Sequence, residues 1–213
     1  MIYGKKISKF QYYMEKISKI IIGTHNDGKF KEIRDLLPRY IKTISPKDLN
    51  IPIPEETGLT FEDNSKIKAK FFSNASNLVC ISDDSGLEID ALFGSPGIYS
   101  SRWAGPRKDF NLAIQRVIEE LNKRDPNWVN KQNISAQFIC ALTVYWPDGK
   151  FVTSKGFVDG SITSIKRGTN GFGYDPIFIP KGYKQTFGEM DPKLKYKIDH
   201  RANAYLKISK NFS

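Results

Sequence analysis

Short apolar runs and longer amphipathic stripes alternate along this chain. Runs with the length and composition of buried strands occur at 19–23, 41–45, 78–81 and 87–92. Apolar positions with helical spacing predict three helices. The first follows the first run and ends at about Leu37, the second begins at Thr60, and the third extends from Lys108 to Lys123. Strands that alternate with helices predict an α/β fold with a mixed sheet.

The second half of the chain contains the clearest β-hairpin pattern. Residues 135–146 and 151–158 are rich in strand-forming side chains, and Pro147-Asp148-Gly149 supplies the turn between them. A linker is expected at 125–131, and a helical tail is expected from Phe187 to Ile208. The hairpin strands are expected to be scaffold.

The run at 78–81 leads directly into two adjacent carboxylates, Asp83 and Asp84, which we expect to enter a turn at Ser85-Gly86. A second acidic pair, Glu55-Glu56, lies upstream. Carboxylates just beyond a buried strand are well placed to hold a divalent cation or accept a proton. An isolated Asp-Asp pair is more often a solvated turn, so neighbouring features must show whether this pair forms a functional site.

The helix that begins at Thr60 carries polar side chains on its apolar face. Thr60 is the predicted N-cap, with Asp63 three residues later as in a capping box. The apolar stripe passes through Asn64 and Lys68, which need partners if they are buried. We favour a position at the wall of a polar cleft, while a lysine that extends to the surface is the alternative.

The turn after the first strand has the pattern of a phosphate-binding loop. A strand, a glycine-containing turn and a helix direct backbone N–H groups towards an anion. Residues Gly23 to Lys29 fit the first part of a Walker A motif, but Phe30 occupies the position that needs Ser or Thr. The pattern therefore excludes a P-loop NTPase, and it leaves open a phosphate cradle or an ordinary connection.

A glycine-rich loop at 168–176 contains Phe172, Tyr174 and Asp175. Glycines on both sides of an aromatic ring allow a flat ligand to lie against the ring and the backbone. The alternative is a tight connection without a ligand. Near the end of the chain, His200-Arg201 alone is typical of a protein surface.

Composition narrows the class of protein. The chain has 213 residues, of which 39% are hydrophobic, so it can form one good-sized domain, expected at 19–213 after a polar extension at 1–18. No membrane span or signal peptide is evident. Cys80 and Cys140 lie in apolar runs and are expected to be free thiols of a cytoplasmic protein. The net charge of +10 is concentrated at the two ends, which would suit nucleic acid or a small polyanion, but no nucleic-acid-binding motif accompanies it.

Several separated segments resemble one enzyme family, the non-canonical purine nucleoside triphosphate pyrophosphatases, also called XTP/dITP diphosphatases or inosine triphosphate pyrophosphatases. The segments, in order, are THNDGK at 24–29, EETGLTFEDN at 55–64, DDSGLEIDAL at 83–92, SPGIYSSRWAG at 95–105, GFGYDP at 171–176 and DHRANA at 199–204. The resemblance extends from about Lys19 to the end of the chain. It implies Mg²⁺-dependent hydrolysis of ITP, dITP and XTP to the monophosphate and pyrophosphate, which removes deaminated purines from the nucleotide pool.

The resemblance also implies an elongated α/β domain of two lobes that enclose a substrate cleft, assembled as a homodimer. Glu56 and Asp84 would hold Mg²⁺, with Asp84 as the proton acceptor and Asn64, Lys68 and Asp83 in support. The predicted substrate-binding residues are Thr24, His25, Asn26, Asp27, Gly28 and Lys29 for the triphosphate, Ser85 for a substrate contact, Phe172, Gly173, Tyr174 and Asp175 for the nucleoside, and Lys195, His200 and Arg201 for the base and phosphates. A nucleotide diphosphatase of broader or canonical specificity is the alternative function, ahead of a basic nucleic-acid-binding protein.

Three departures from the family pattern bear on affinity and selectivity. His25 replaces the glycine usual in the phosphate turn, and Asp199 replaces the serine common before His-Arg. The extension at 1–18 has no counterpart. None of these removes a residue to which the resemblance assigns catalysis.

Overall fold

The computed structural model describes residues 17–130 and 134–210. The predicted extension lies outside these ranges except for Ile17 and Ser18, and part of the predicted 125–131 linker also falls outside. Within the linker, Trp128 is buried, and its indole N–H donates to Asn122 Oδ1 over 2.7 Å. The described part of this segment is therefore anchored to the helix that precedes it.

The described residues form six strands and six α-helices in a mixed order. The strands are β1 (Lys19–Ile22), β2 (Lys42–Ile44), β3 (Val79–Ile89), β4 (Ile134–Tyr145), β5 (Phe151–Ile162) and β6 (Phe178–Pro180). The helices are α1 (Asp27–Leu36), α2 (Phe61–Ser76), α3 (Ser100–Trp103), α4 (Phe110–Arg124), α5 (Pro192–Ile198) and α6 (His200–Lys210).

One six-stranded sheet has the order β2-β1-β3-β4-β5-β6. Strand β1 is parallel to both β2 and β3, whereas β5 and β6 are antiparallel. The sheet is therefore mixed, and the α/β prediction is confirmed. The 135–158 hairpin is confirmed as well, with β4 shifted by one residue and β5 extending to Ile162, four residues beyond its predicted end.

The chain divides into two compact units. Of the described residues, unit 1 comprises 17–84, 141–156 and 201–210, and unit 2 comprises 85–130, 134–140 and 157–200. In unit 1, an apolar cluster brings Ile21 of β1 and Cys80 of β3 together with Phe72 of α2 and Tyr145 of β4. Burial of these side chains from water holds α2 against the strands.

Unit 2 has its own, larger apolar core. Buried side chains of α4, among them Val117 and Leu121, pack with Leu87, Phe178 and Phe187. The two cysteines lie in different units, and both are buried free thiols, as predicted. No helix within the described ranges has both the length and the apolar composition that a membrane crossing requires.

Two predictions about β3 are wrong. The Ser85-Gly86 turn and a separate strand at 87–92 were expected, but Val79 to Ile89 form one continuous strand, and residues 90–92 form a short 3₁₀ helix. Strand β3 lies between β1 and β4 in the sheet. Strand β1 pairs with Val79 to Ile81 only, and residues 85–86 are extended as part of the longer strand, where membership of the sheet outweighs local turn propensity.

The prediction of a single helical tail at 187–208 is also wrong. Residues 187–191 are not helical, and the rest forms two helices, α5 and α6, separated at Asp199. Asp199 has φ −72° and ψ 164°, an extended conformation that ends α5. The break starts a new helix at His200 and so gives His200 and Arg201 a direction that one continuous helix would not.

Candidate active site

The turn between β1 and α1 is organised by its own side chains. Asn26 is the N-cap of α1 and accepts a hydrogen bond from the Lys29 backbone over 3.0 Å. Thr24 Oγ1 accepts from the Asn26 backbone over 3.1 Å. The first-turn N–H groups of α1, including that of Gly28, have no carbonyl of their own helix to bind and can serve an anion.

Two further residues of this turn lie against other segments. The half-buried His25 ring lies 5.9 Å from the Phe72 ring of α2. The pKa of His25 is lowered because of burial, with a smaller contribution from Lys47. Asp27 is exposed, and its carboxylate lies 2.6 Å from Lys47 Nζ.

Asp83 is at the centre of a buried charge cluster. Its Oδ2 atom lies 3.2 Å from Lys29 Nζ and 2.9 Å from an Arg201 nitrogen, and its side chain has no exposed surface. Arg201 is fully buried as well, and its guanidinium also donates to Glu32 of α1. Burial alone would raise the pKa of Asp83, but Lys29 and Arg201 together lower it well below the ordinary range. Asp83 therefore stays ionised.

Glu32 is a site residue that the sequence did not reveal. It is almost fully buried on α1, one turn after Lys29. A glutamate three residues from a lysine on the same helix lies on the same face, which is the sequence feature that could have identified it. Arg201 bridges it to Asp83 across three distant segments of the chain.

Asp84 belongs to a second cluster, supplied by α2. Its Oδ1 atom lies 3.1 Å from Lys68 Nζ, and its Oδ2 atom accepts from Asn64 Nδ2 over 3.2 Å. Lys68 also forms an ion pair with Glu56, so one ammonium group joins the two carboxylates. Asn64 and Lys68 are both buried, which confirms that they lie on the inner face of the helix. The first turn of α2 is capped by Thr60, which accepts from the Asp63 backbone as predicted.

The environment shifts the pKa of Asp84 in the opposite direction from that of Asp83. Burial raises the pKa of Asp84, and the neighbouring Glu56 carboxylate adds to this, while Lys68 and Lys29 only partly offset it. Burial would lower the pKa of Lys68, but Asp84 and Glu56 outweigh this effect and raise it. Lys68 is therefore a fixed cation, and Asp84 is the more basic of the two adjacent aspartates.

The Glu56–Asp84 pair suits a small hard cation. Both carboxylates converge on the Lys68 ammonium, so their oxygens already surround a positive charge. Mg²⁺ binds through one or two carboxylates and completes its shell with water and substrate phosphates. Among residues 17–130 and 134–210, no group of three or more His, Cys, Asp or Glu side chains could hold a metal by itself. The donor set thus fits Mg²⁺ delivered with a phosphate substrate and does not fit a structural zinc site.

A separate group of predicted residues lies in unit 2, around the glycine-rich loop. Asp175 Oδ2 accepts from the Phe172 backbone over 2.8 Å and lies 2.6 Å from Lys195 Nζ. Gly171 has φ +74°, and a Cβ there would overlap the same carboxylate, so the loop requires glycine. Lys195 Nζ is 5.2 Å from the centre of the half-buried Phe172 ring. Asp175 and Lys195 therefore hold the loop with the Phe172 ring partly open to solvent.

The remaining predicted residues of unit 2 are placed differently. Tyr174 is buried in the core, edge-on to Phe110 at 5.5 Å, and its hydroxyl donates to the Ser100 carbonyl over 3.0 Å. Burial raises the pKa of Tyr174. The His200 ring is buried and stacks on Phe138 at 4.9 Å. Gly173 follows Phe172 in the loop, and Ser85 is half-buried inside β3.

The chain is similar to known proteins over most of its length. The model of the Ham1 family matches residues 20–211. The chain is 45% identical to the dITP/XTP pyrophosphatase of Rhodospirillum centenum over 190 residues, which are 89% of this chain and 92% of that protein. It is 44% identical to the dITP/XTP pyrophosphatase of Caulobacter vibrioides over 191 residues, 90% and 96% of the two chains. The solved structure of a HAM1 protein from Coxiella burnetii is similar with a TM-score of 0.79 and 35% identity, covering 92% of this chain and 98% of that one.

Proposed function

The chain belongs to the Ham1 family, and on that basis we propose that it is a dITP/XTP pyrophosphatase. The observation that carries this conclusion is the 45% identity to a dITP/XTP pyrophosphatase over nearly the whole of both chains. The substrates are dITP, XTP and ITP, and the products are the nucleoside monophosphate and pyrophosphate. The two charge clusters of unit 1 supply the groups that this hydrolysis needs.

The proposed triphosphate-binding site is the turn that precedes α1. The first-turn N–H groups, with the helix dipole behind them, favour an anion at this position, and Lys29 adds a full positive charge. Lys29 lies beside Asp83, which orients its ammonium without neutralising the whole site, because Arg201 shares the same carboxylate. Thr24 and Asn26 keep the turn in the conformation that exposes these donors.

Asp84 is the proposed proton acceptor for the attacking water. Its raised pKa makes it a better base than an ordinary aspartate. Asn64 and Lys68 fix both of its oxygens, so that the carboxylate keeps one orientation. Glu56 and Asp84 would hold Mg²⁺, which, when bound, screens the phosphate charges and makes the phosphorus easier to attack.

Recognition of the base is assigned to the glycine-rich loop. The half-buried Phe172 ring offers a surface for stacking, and the Lys195 ammonium, which pairs with Asp175, is a group that can only donate hydrogen bonds. A 6-keto purine can accept from such a donor, whereas the 6-amino group of adenine would leave it unpaired. Ser85, Gly173, Asp175 and His200 complete the proposed nucleotide-binding residues. The side chain of Tyr174 is buried in the core and bonded to Ser100, so we propose that Tyr174 contacts the nucleotide through its backbone.

Measurement of pyrophosphate release tests the proposal. With Mg²⁺ present, dITP, XTP and ITP should be hydrolysed, ATP should be a poor substrate, and EDTA should stop the reaction. GTP, which also carries a 6-keto group, tests whether a 2-amino group is rejected. Equal rates for ATP and ITP would instead favour a diphosphatase of broader specificity. Release from none of the five nucleotides would exclude the enzyme. Homodimeric assembly and a cytoplasmic location remain predictions, and the former can be measured by light scattering.

A further inference from the structure

The glycine-rich loop at 168–176 is held by a second segment of unit 2. Residues 186–190, here called the Thr186 turn, follow β6, and four of the five are buried. The Thr186 backbone N–H donates to Glu189 Oε2 over 2.9 Å, and the Thr186 hydroxyl accepts from the Glu189 backbone over 3.2 Å. These reciprocal bonds follow the pattern of a capping box. They give the turn a fixed shape of its own.

The Thr186 turn bonds to the first half of the loop through three hydrogen bonds. The Thr186 hydroxyl donates to the carbonyl of Arg167, directly before the loop, over 2.8 Å. The Gly188 carbonyl accepts from the Asn170 backbone over 2.9 Å. The Met190 carbonyl accepts from the Asn170 side chain over 3.1 Å. The backbone that leads to Phe172 is therefore attached to this turn.

The second half of the loop has additional anchors. Tyr174 is buried in the core of unit 2, and the Asp175 carboxylate pairs with the buried Lys195. The Gly188 N–H of the Thr186 turn also donates to the Asp175 carbonyl over 2.9 Å. Phe172 thus lies between two anchored halves of the loop, and the turn contacts both.

Phe172 depends on both halves because glycines flank it. Gly171 and Gly173 have φ of +74° and +67°, and glycine has more backbone conformations open to it than any other residue. The bond from the Phe172 N–H to Asp175 Oδ2 joins two residues of the same loop, so it does not fix the first half against the core. If the first half were released, rotation at Gly171 would move the Phe172 ring.

We propose that Thr186 is a positioning residue for base recognition and acts on the nucleotide through Phe172. The Thr186 side chain has no exposed surface, so it cannot contact the nucleotide itself. Its hydroxyl is the one group that both closes the turn at Glu189 and bonds the turn to the start of the loop. This inference rests on the proposed function, because Phe172 is a proposed base-stacking residue.

Four variants of the full-length protein test the inference. Thr186→Val removes the hydroxyl and keeps the shape of the side chain, whereas Thr186→Ser keeps the hydroxyl. Thr163→Val is the matched control, a threonine of the same unit whose hydroxyl accepts from the Ile165 backbone over 3.3 Å. Glu189→Ala, at a half-buried position, opens the reciprocal bonds and removes the contact with Arg167, and it tests the turn even if Thr186→Val does not fold.

Two product ligands separate the base from the phosphates. Inosine monophosphate (IMP) carries the base, and pyrophosphate carries none, so isothermal titration calorimetry with each ligand reports on a different part of the site. We expect Thr186→Val to bind IMP about fivefold or more weakly, because base–aromatic stacking has an effect of this size, and to bind pyrophosphate as wild type does. Glu189→Ala should act in the same direction, while Thr186→Ser and Thr163→Val should match wild type. In steady-state kinetics, KM for dITP should rise in Thr186→Val while kcat is kept.

A double-mutant cycle with Phe172→Ala tests whether Thr186 acts through the ring. Thr186→Val should weaken IMP binding in the wild-type background and add nothing once Phe172 is alanine. The same loss in both backgrounds, weakened pyrophosphate binding, or wild-type IMP affinity in both Thr186→Val and Glu189→Ala would overturn the inference. Failure of the proposed function would show in wild type itself, as no pyrophosphate release from dITP.

Discussion

Asp83 and Asp84 are consecutive residues of β3, yet their carboxylates belong to different charge clusters. Asp83 pairs with Lys29 and Arg201, and Asp84 pairs with Lys68. Successive side chains of a strand point to opposite faces of the sheet, so a continuous β3 separates the two carboxylates as a turn would not. This separation lets one aspartate be fixed as an ion while the other becomes more basic.

Replacement of Asp84 by asparagine should abolish pyrophosphate release and leave the protein folded. The amide cannot accept a proton from water, and it is a weaker metal ligand than a carboxylate. Lys68 keeps Glu56 as its partner, so no ammonium is left without a counter-ion. Steady-state kinetics with dITP and circular dichroism spectra measure the two effects. Retention of turnover would assign the proton acceptor elsewhere.

The neighbouring change, Asp83→Asn, should act mainly on stability. It would remove the carboxylate that Lys29 and the buried Arg201 share, in a buried environment. Breaking a buried ion pair in this way costs about 3–5 kcal/mol of unfolding free energy, measurable by urea denaturation. Asp35→Asn is the matched control, since it removes an exposed pair with Arg34 and should cost less than about 1 kcal/mol.

The pH dependence of this stability follows from the sign of the Asp83 shift. Because its folded-state pKa is lowered, the stabilisation is fully present above the unfolded pKa of about 3.9 and is lost as the pH falls towards the folded value. The difference between wild type and Asp83→Asn should therefore be constant from pH 7 to pH 5 and shrink in acid. A difference that disappears by pH 5 would contradict the assignment.

Local periodicity was sufficient to identify part of this site. Asn64 and Lys68 were predicted on the inner face of α2 from helical spacing alone, because the residues that define the face lie within a few turns of each other. The Thr60 cap was identified for the same reason. Both depend on backbone geometry that the neighbouring sequence sets.

The rest of the site depends on contacts between distant segments. Arg201 and Glu32 are separated by 169 residues, and no local pattern shows that they meet. His200-Arg201, considered as an isolated pair, is typical of a surface, yet both residues are buried. The Ser85-Gly86 turn was predicted from local preference, but both residues belong to the continuous strand β3, whose place in the sheet keeps them extended.

Activity should fall in acid at a higher pH than an ordinary aspartate would give. Asp84 must be ionised to accept a proton, and its pKa is raised, so kcat/KM should rise with pH through that raised value. The log of kcat/KM for dITP, measured at saturating Mg²⁺, should approach a slope of about one below it. If kcat/KM stays constant as the pH falls to the pKa range of an ordinary aspartate, Asp84 is not the proton acceptor.

Lys68 should substitute for part of the metal charge when no cation is bound. Lys68→Gln would leave Glu56 and Asp84 facing each other without the ammonium that now joins them. Without divalent ions, the variant should melt at a lower temperature than wild type, and added Mg²⁺ should raise its Tm more than it raises that of wild type. Lys70→Gln, on the same helix but exposed, should respond to Mg²⁺ as wild type does. Equal Mg²⁺ responses in all three proteins would contradict a metal site at this pair.

Phe172 and Tyr174 are two residues apart, yet a variant at Phe172 should affect substrate binding and one at Tyr174 should affect stability. Phe172→Ala removes the half-buried ring proposed to stack on the base, and base–aromatic stacking contributes about 1–3 kcal/mol, so KM for dITP should rise by about fivefold or more. Tyr174→Phe removes only a hydroxyl that donates to Ser100, so unfolding free energy should fall by about 1 kcal/mol while kcat/KM is kept. A raised KM in Tyr174→Phe with unchanged stability would instead place its hydroxyl on the substrate.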